Sequence, residues 1–222
     1  AGENIGAGRW TAERKERIVS SRVQAGQAIV EALRLAKKRP QLLLQASAIG
    51  YYGPSDEREL DETSPAGKDY LSGVCVQWEN ATREVEEFGM RRVLLRTGIV
   101  LAKKGGALER LLLPFRLFVG GPMGSGKQWW PWIHIADQLA AMRFLMQHPS
   151  AQGAYNLSAP TPLLFNDFGR ILAGVLKRPF WLPLPGFALR LLLGEMSTLV
   201  LDGQRALPRR LLAAGYSFRF PE

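Results

Sequence analysis

Three observations predict an α/β fold whose strands run parallel in one sheet. Residues 42–48 follow Pro40 with three consecutive leucines, and a short apolar run bounded by turn residues suits a strand covered on both faces. Residues 92–101, rich in Val, Leu and Ile, form a second such run. Ahead of each run, apolar residues recur at helical spacing, over 11–38 and 71–88. Helix, strand, helix, strand at these separations indicates βαβ units, in which helices cross over between parallel strands.

Residues 1–8 are a glycine-rich lead-in. Thr11 stands where a helix N-cap belongs, with Glu13 in the first turn, where the helix dipole favours a carboxylate. Ile18, Val19, Val23, Ile29, Val30 and Leu33 trace one stripe, and the helix must stop before Pro40, which disfavours helical geometry in the residue ahead of it. After the first strand comes the small-residue turn Ile49-Gly50-Tyr51-Tyr52-Gly53. Residues 54–68 carry Asp56, Glu57, Glu59, Asp61 and Glu62 and read as a loop over the strand ends with solvated carboxylates. Gly89 closes the second helix.

Beyond residue 103 the elements shorten. The pattern predicts an apolar helix over 108–118 containing Pro114, a glycine-rich loop over 120–127 and a strand over 133–135. Next come a helix capped by Asp137 and running to about Gln147, a strand over 154–157, and a helix capped by Asn166 that ends near Lys177. The tail holds Pro183-Leu184-Pro185-Gly186, a helix over 187–193 and a basic helix near 208–214. The expected organisation is a main domain over 1–102, rejoined by 133–157, and a cap region over 103–222 whose last module starts near 179.

With 222 residues and 46% hydrophobic content, the chain buries a full core. The most apolar part of the tail, 187–201, is broken by Arg190 and Glu195, so no membrane span is expected. A single cysteine, Cys75, excludes an internal disulfide and fits a reducing, cytoplasmic compartment. His134 and His148 lie far apart without a matching Cys or His set, so no metal site is expected. The net charge of +9 raises the question of nucleic acid. Its lysines and arginines are scattered, however, with small clusters at Lys37-Lys38-Arg39, Lys103-Lys104 and Arg209-Arg210 and no aromatic-and-basic recognition motif. No nucleic-acid partner is expected.

Ligands of open α/β sheets bind beyond the carboxyl ends of the strands. That makes Ser47, Tyr51 and Tyr52 the candidate catalytic side chains; the alternative is a core strand with surface tyrosines. Residues 121–128 approach a P-loop, but Gln128 replaces the magnesium-binding hydroxyl and Trp129-Trp130-Pro131 follows where a helix must open, which excludes an ATPase. His134 and Asp137 are either an acid–base pair or a packed residue and a helix cap. The tryptophans at 129, 130 and 132 either wall a ligand pocket or pack two parts of the protein together.

Taken together, several stretches resemble the extended short-chain dehydrogenase/reductase superfamily, and within it the atypical branch of epimerase family, nucleoside-diphosphate-sugar epimerase-like proteins. The resemblance rests on Ala1-Gly2-Glu3, Gly8-Arg9-Trp10-Thr11, Ser21-Arg22-Val23, residues 47–53, Trp78-Glu79, residues 95–101, Gly105-Gly106-Ala107-Leu108, Trp132-Ile133-His134-Ile135 with Asp137, Leu193-Gly194-Glu195-Met196 and residues 208–215. It implies a Rossmann-like parallel sheet with a smaller C-terminal α/β cap. No G-x-x-G-x-x-G occurs in the chain, so the first half of the Rossmann domain, with its glycine-rich nucleotide segment, is expected to be absent from it, and the chain as it stands is expected to bind a dinucleotide poorly or not at all.

The resemblance further implies NADP(H) as coenzyme, with NAD(H) as the alternative. Ala46, Ser47, Arg96, Thr97 and Gly98 would contact it, although Arg96 is equally a buried structural cation. Gln128, Trp129, Trp132 and His134 would sit beside the substrate. The superfamily's catalytic Tyr and Lys lie at i and i+4 on a helix, where the lysine charge lowers the tyrosine pKa. The matching positions here are Leu71 and Cys75, and the position of the catalytic hydroxyl falls on Ala48, one place from Ser47. One of the two tyrosines is then the proton donor, or both wall the nicotinamide pocket. The expected function is a nicotinamide-dependent oxidoreductase or epimerase acting on a small carbonyl or hydroxyl compound such as a sugar nucleotide. The other expectation is a cofactor-binding regulator that recognises a protein through its tail. A homodimer through the helices of 11–38 and 71–88 is also implied.

Overall fold

The computed structural model describes residues 2–103 and 105–222; Ala1 of the first family motif and Lys104 of the basic pair lie outside the described residues. Helix α1 (Ala12–Leu35) starts at Thr11, whose hydroxyl accepts the Arg14 N–H at 3.2 Å. It stops at Leu35, short of the predicted 38: Ala36 leaves helical space, and the Leu33 carbonyl accepts both the Ala36 N–H at 3.4 Å and the Arg39 guanidinium at 2.8 Å. Strand β1 (Leu42–Ala48) runs into a 3₁₀ turn, Ile49–Tyr52, closed by Gly53 at φ 68°. A two-residue strand, β2 (Glu59–Leu60), interrupts the acidic loop.

Helix α2 (Tyr70–Asn80) is capped by Asp69 and ends well before Phe88. Thr82 breaks it by turning its hydroxyl inward to Gln45, and a 3₁₀ turn, Arg83–Glu86, carries the chain to Gly89 at φ 75°. A Cβ on Gly26 would lie 2.8 Å from that of Ala81, so α1 and α2 meet closely at this point. The predicted strand 92–101 is divided into β3 (Arg91–Thr97) and β4 (Ile99–Leu101). Gly98 donates to Leu157 O at 3.0 Å and Ile99 to Pro131 O at 2.6 Å, so the chain changes partners here. A Cβ at Gly98 would stand 2.3 Å from Pro131 O, so no larger residue fits the change of sheet.

The remaining elements are α3 (Gly106–Arg116), β5 (Trp129–Trp130), β6 (Trp132–His134), α4 (Ile135–Gln147), β7 (Gly153–Leu157), β8 (Leu163–Leu164) and α5 (Phe165–Leu176). The tail adds α6 (Gly186–Leu193), α7 (Thr198–Leu201), β9 (Arg205–Ala206) and α8 (Arg209–Ala213). The main sheet has the order β1-β3-β7, all parallel; β4 pairs β6 and β2 pairs β9 in parallel, and β5 pairs β8 antiparallel.

Two expected helix caps are corrected. His134, not Asp137, caps α4, its Nδ1 accepting the Ala136 N–H at 3.2 Å. Asp137 is 1% exposed and accepts the Arg219 and Phe220 N–H groups at 2.9 and 2.8 Å and the Tyr216 hydroxyl at 3.1 Å, fastening the chain end. Asn166 lies inside α5, whose N-cap is Leu164. Its N–H donates to Gly126 O at 2.9 Å and anchors the glycine-rich loop, which leads into β5.

Side chains alternate across a strand, so the main sheet has two faces. One carries Leu42, Leu44, Val93, Leu95, Tyr155 and Leu157, packed on Ile133, Ala141 and Leu145. Leu211 and Tyr216 of the tail complete this core, so the chain end packs with the main sheet rather than standing apart in a cap. The other face, towards α2, carries Gln45, Ser47, Arg92, Arg96 and Asn156 together with Leu43 and Leu94.

Candidate functional site

Pairing register places Ser47 beside Arg96 and Arg96 beside Asn156, one residue from each strand in a single row. All three are at most 5% exposed. Helix α2 presents Glu79 to this row: its carboxylate accepts from Ser47 Oγ at 2.6 Å and from Arg96 Nε and Nη2 at 2.9 and 3.0 Å. Arg96 Nη1 donates to the Tyr52 hydroxyl at 3.1 Å, and that hydroxyl donates to Asn156 Oδ1 at 2.7 Å. The Arg96 guanidinium also lies 3.3 Å from the Tyr51 ring centre, a cation–π contact. Burial opposes the Arg96 charge, yet hydrogen bonding to Glu79 and the nearness of Tyr52 and Glu79 raise its pKa. Burial pushes the Tyr52 hydroxyl up to about 12, against the pull of Arg96 and Asn156.

Glu62, expected in a solvated charge run, joins the network from outside. Its carboxylate accepts the Asn156 N–H at 3.0 Å and the Arg210 N–H at 3.2 Å, and burial raises its pKa.

A separate cleft of about 230 Å³ opens at the carboxyl ends of β1 and β3. Ala48, Ile49 and Gly50 form one side, Thr97, Gly98 and Ile99 a second, and Leu71, Val74, Cys75 and Trp78 of α2 a third. Arg22 of α1, Trp129 and Trp130 close it with a segment of the tail: Thr198, Leu199, Asp202 and Gln204. A hollow of about 1020 Å³ adjoins it, sharing Ile5, Ile99, Trp130 and Leu199 and bordered by Arg110 and Arg116 of α3. Burial first, then Glu79, pushes the Cys75 thiol up to about 12, which removes it as a nucleophile. Burial lowers the Arg22 pKa, and its guanidinium is held by Glu3 O at 3.1 Å and Ile18 O at 2.8 Å.

The predicted site residues divide between these regions. Thr97, Gly98 and Trp129 line the cleft, while Ser47, Tyr52 and Arg96 are tied to one another behind it. Tyr51 lies between, against Arg96 and edge-on to Tyr52. Ala46 is exposed on β1. Gln128 is not beside the cleft; its amide donates to Met123 O at 3.1 Å and Val200 O at 2.8 Å and pins the tail. Trp132 is buried among Leu111, Trp130 and Phe165, and His134 stacks 3.9 Å from Phe220. Arg22, Thr198, Asp202 and Gln204 escaped the sequence reading as site residues. Arg22 stood in a quoted family motif, but no periodicity links the tail residues to strand ends so far away in sequence.

A parallel sheet with crossover helices and a cleft beyond its strand ends defines a protein of the Rossmann-like nucleotide-binding class. The chain belongs to the NAD dependent epimerase/dehydratase family, whose sequence profile matches residues 1–158; that of a domain of unknown function (DUF1731) matches 184–222. It is 42% identical over 214 residues to the Arabidopsis thaliana "Epimerase family protein SDR39U1 homolog, chloroplastic", covering 96% of this chain and 61% of that protein. It is also 42% identical to a Staphylococcus aureus epimerase family protein, covering 96% of this chain and 71% of that protein. The structure of human epimerase family protein SDR39U1 (isoform2) with NADPH matches with a TM-score of 0.94 at 35% identity, over all of this chain and 76% of that one. The chain therefore spans about three-fifths of the Arabidopsis relative's length.

Among the described residues no helix is long and apolar enough to cross a membrane, and no three His, Cys, Asp or Glu cluster to hold a metal ion.

Proposed function

We propose that this chain forms the substrate side of an NADP(H)-dependent oxidoreductase or nucleotide-sugar epimerase-like enzyme acting on a carbonyl or hydroxyl compound. The carrying observation is the cleft at the carboxyl ends of β1 and β3, where dinucleotide folds hold the reactive end of their coenzyme. The residues fit that end of the group. Apolar walls exclude water, and the lining residues Thr198, Trp129 and Trp130 carry buried Oγ1 and Nε1 atoms without a protein partner, whereas the Thr97 hydroxyl is taken by Gln138 Nε2 and Leu95 O, each at 3.3 Å. The coenzyme, when bound, would supply or take a hydride. The NADPH of the human relative supports NADP(H) over NAD(H). The adjoining hollow with Arg110 and Arg116 suits the phosphates of a sugar nucleotide.

Leu71 and Cys75 favour a second reading, a coenzyme-binding regulator with little turnover, because α2 offers the cleft no acid or base of its own. The closeness of α1 and α2 leaves a homodimer through their outer faces as part of the proposal, to be read by light scattering. Full-length protein assayed for NADPH oxidation against ketones, aldehydes and sugar nucleotides should turn over at least one class. Tight NADPH binding without turnover would favour the regulator, and failure to bind NADPH would overturn both.

A further inference from the structure

Resting on this reading of the cleft, we propose that Asp202, delivered by the tail, exchanges the proton at the oxygen of the bound substrate. Interconverting a carbonyl and a hydroxyl requires a group within hydrogen-bond reach of that oxygen. The ionisable side chains lining the cleft are Arg22, Cys75 and Asp202. Arginine stays charged, and the Cys75 thiol keeps its proton. The Tyr52 hydroxyl is committed to Arg96 and Asn156, away from the lining. Asp202 remains.

Its backbone is clamped on both sides. Asp202 N donates to Thr198 O at 3.1 Å, and Val200 O accepts from Gln128 at 2.8 Å. Gly203 O accepts from Ser55 N at 2.9 Å, and a Cβ on Gly203 would lie 2.1 Å from Trp129 O, so only glycine lets the tail run flat against Trp129. Further on, β9 pairs β2, and Ala206 O accepts from Ser158 at 3.1 Å. A side chain on so constrained a segment is pre-positioned, which proton transfer requires.

The surroundings suit the task. Burial raises the Asp202 pKa, Asp69 at the start of α2 raises it further, and Arg190 of α6 opposes both; Arg22 of α1 and Cys75 of α2 face the same space. The geometry sets the carboxyl against the ligand space, and the direction of its shift favours the protonated form that a proton donor needs. In the reducing direction the Asp202 O–H bond breaks as the bond from that proton to the substrate oxygen forms. The carboxylate then regains a proton from solvent. The hydride comes from a nicotinamide donor, and in the oxidising direction each transfer reverses.

The test uses full-length protein with carboxyl-¹³C aspartate and the variants D202N and D202E. One carboxyl resonance, absent from D202N, should titrate above the ordinary aspartate range and move its midpoint when NADPH is added. On a substrate from the carbonyl panel, D202N should lower kcat about 100-fold while NADPH affinity, by calorimetry, changes less than about twofold. D202E should recover part of the rate, and the alkaline limb of the wild-type pH profile should vanish in D202N. NADPH binding with an Asp202 resonance that titrates ordinarily and does not move would overturn this proposal alone, as would full activity in D202N. No NADPH binding at all would overturn it together with the reading of the cleft.

Discussion

The face of the main sheet towards α2 and the cleft beyond the strand ends are built from neighbouring residues for opposite ends. On that face, Ser47, Glu79, Arg96, Tyr52 and Asn156 satisfy one another, with Glu79 and Arg96 paired at 2.9 Å while nearly buried. In the cleft, the helix that supplies Glu79 turns Leu71, Val74 and Cys75 to the ligand space, and the polar groups arrive from α1 and the tail. The contrast teaches that hydroxyls at a strand end do not by themselves make a catalytic site. A closed network resists a ligand, whereas an open cleft with apolar walls leaves room for one.

That contrast can be broken most forcefully at the ion pair. Replacing Glu79 with leucine strands the Arg96 charge in a low-dielectric interior and should cost about 3–5 kcal/mol of stability in urea unfolding. Combining it with Arg96→Met should restore much of the loss, because an apolar pair carries no desolvation penalty. If the double variant is no more stable than the single one, the network holds the fold through more than charge pairing.

Tyr52→Phe comes next. It leaves Asn156 Oδ1 and Arg96 Nη1 without a partner, a loss of about 1–3 kcal/mol, yet NADPH affinity and turnover at a permissive temperature should stay within twofold. A large fall in turnover with stability intact would return Tyr52 to the catalytic role that its sequence position suggests. Thr11→Ala, distant from both regions, should cost about 1 kcal/mol through its lost cap and leave binding untouched; circular dichroism melts would show it.

The smallest effect is a pH dependence. The folded Asp202 carboxyl holds its proton more tightly than the unfolded one. Its stabilising contribution is full below the unfolded aspartate pKa and is lost as pH rises through the raised folded value. Wild type should therefore lose stability relative to D202N across that window, modestly because the group is only partly buried. A difference that is flat with pH would show that Asp202 does not feel the cleft.

Much of the scaffold was legible in the sequence because it follows from local physics. Thr11 caps α1, and the apolar runs around residues 42–48 and 92–97 become parallel strands. Errors arose where a distant partner overrode a local preference. Thr82 breaks α2 to reach Gln45, Gly98 breaks a strand to meet Pro131, and Asp137 leaves its capping role to bind the chain end. Thr97, Gly98 and Trp129 were reached through the family resemblance; Arg22, Thr198, Asp202 and Gln204 were not named for the cleft.

By itself, then, the sequence determined roughly where strands and helices form, since hydrophobic spacing and turn chemistry act over a few residues. Only the tertiary structure decided which polar side chains close on one another and which are left to the cleft. Register sets Ser47, Arg96 and Asn156 in one row, and chain return brings Asp202 to strands more than a hundred residues earlier. Both depend on contacts between segments whose separation along the chain carries no local signal.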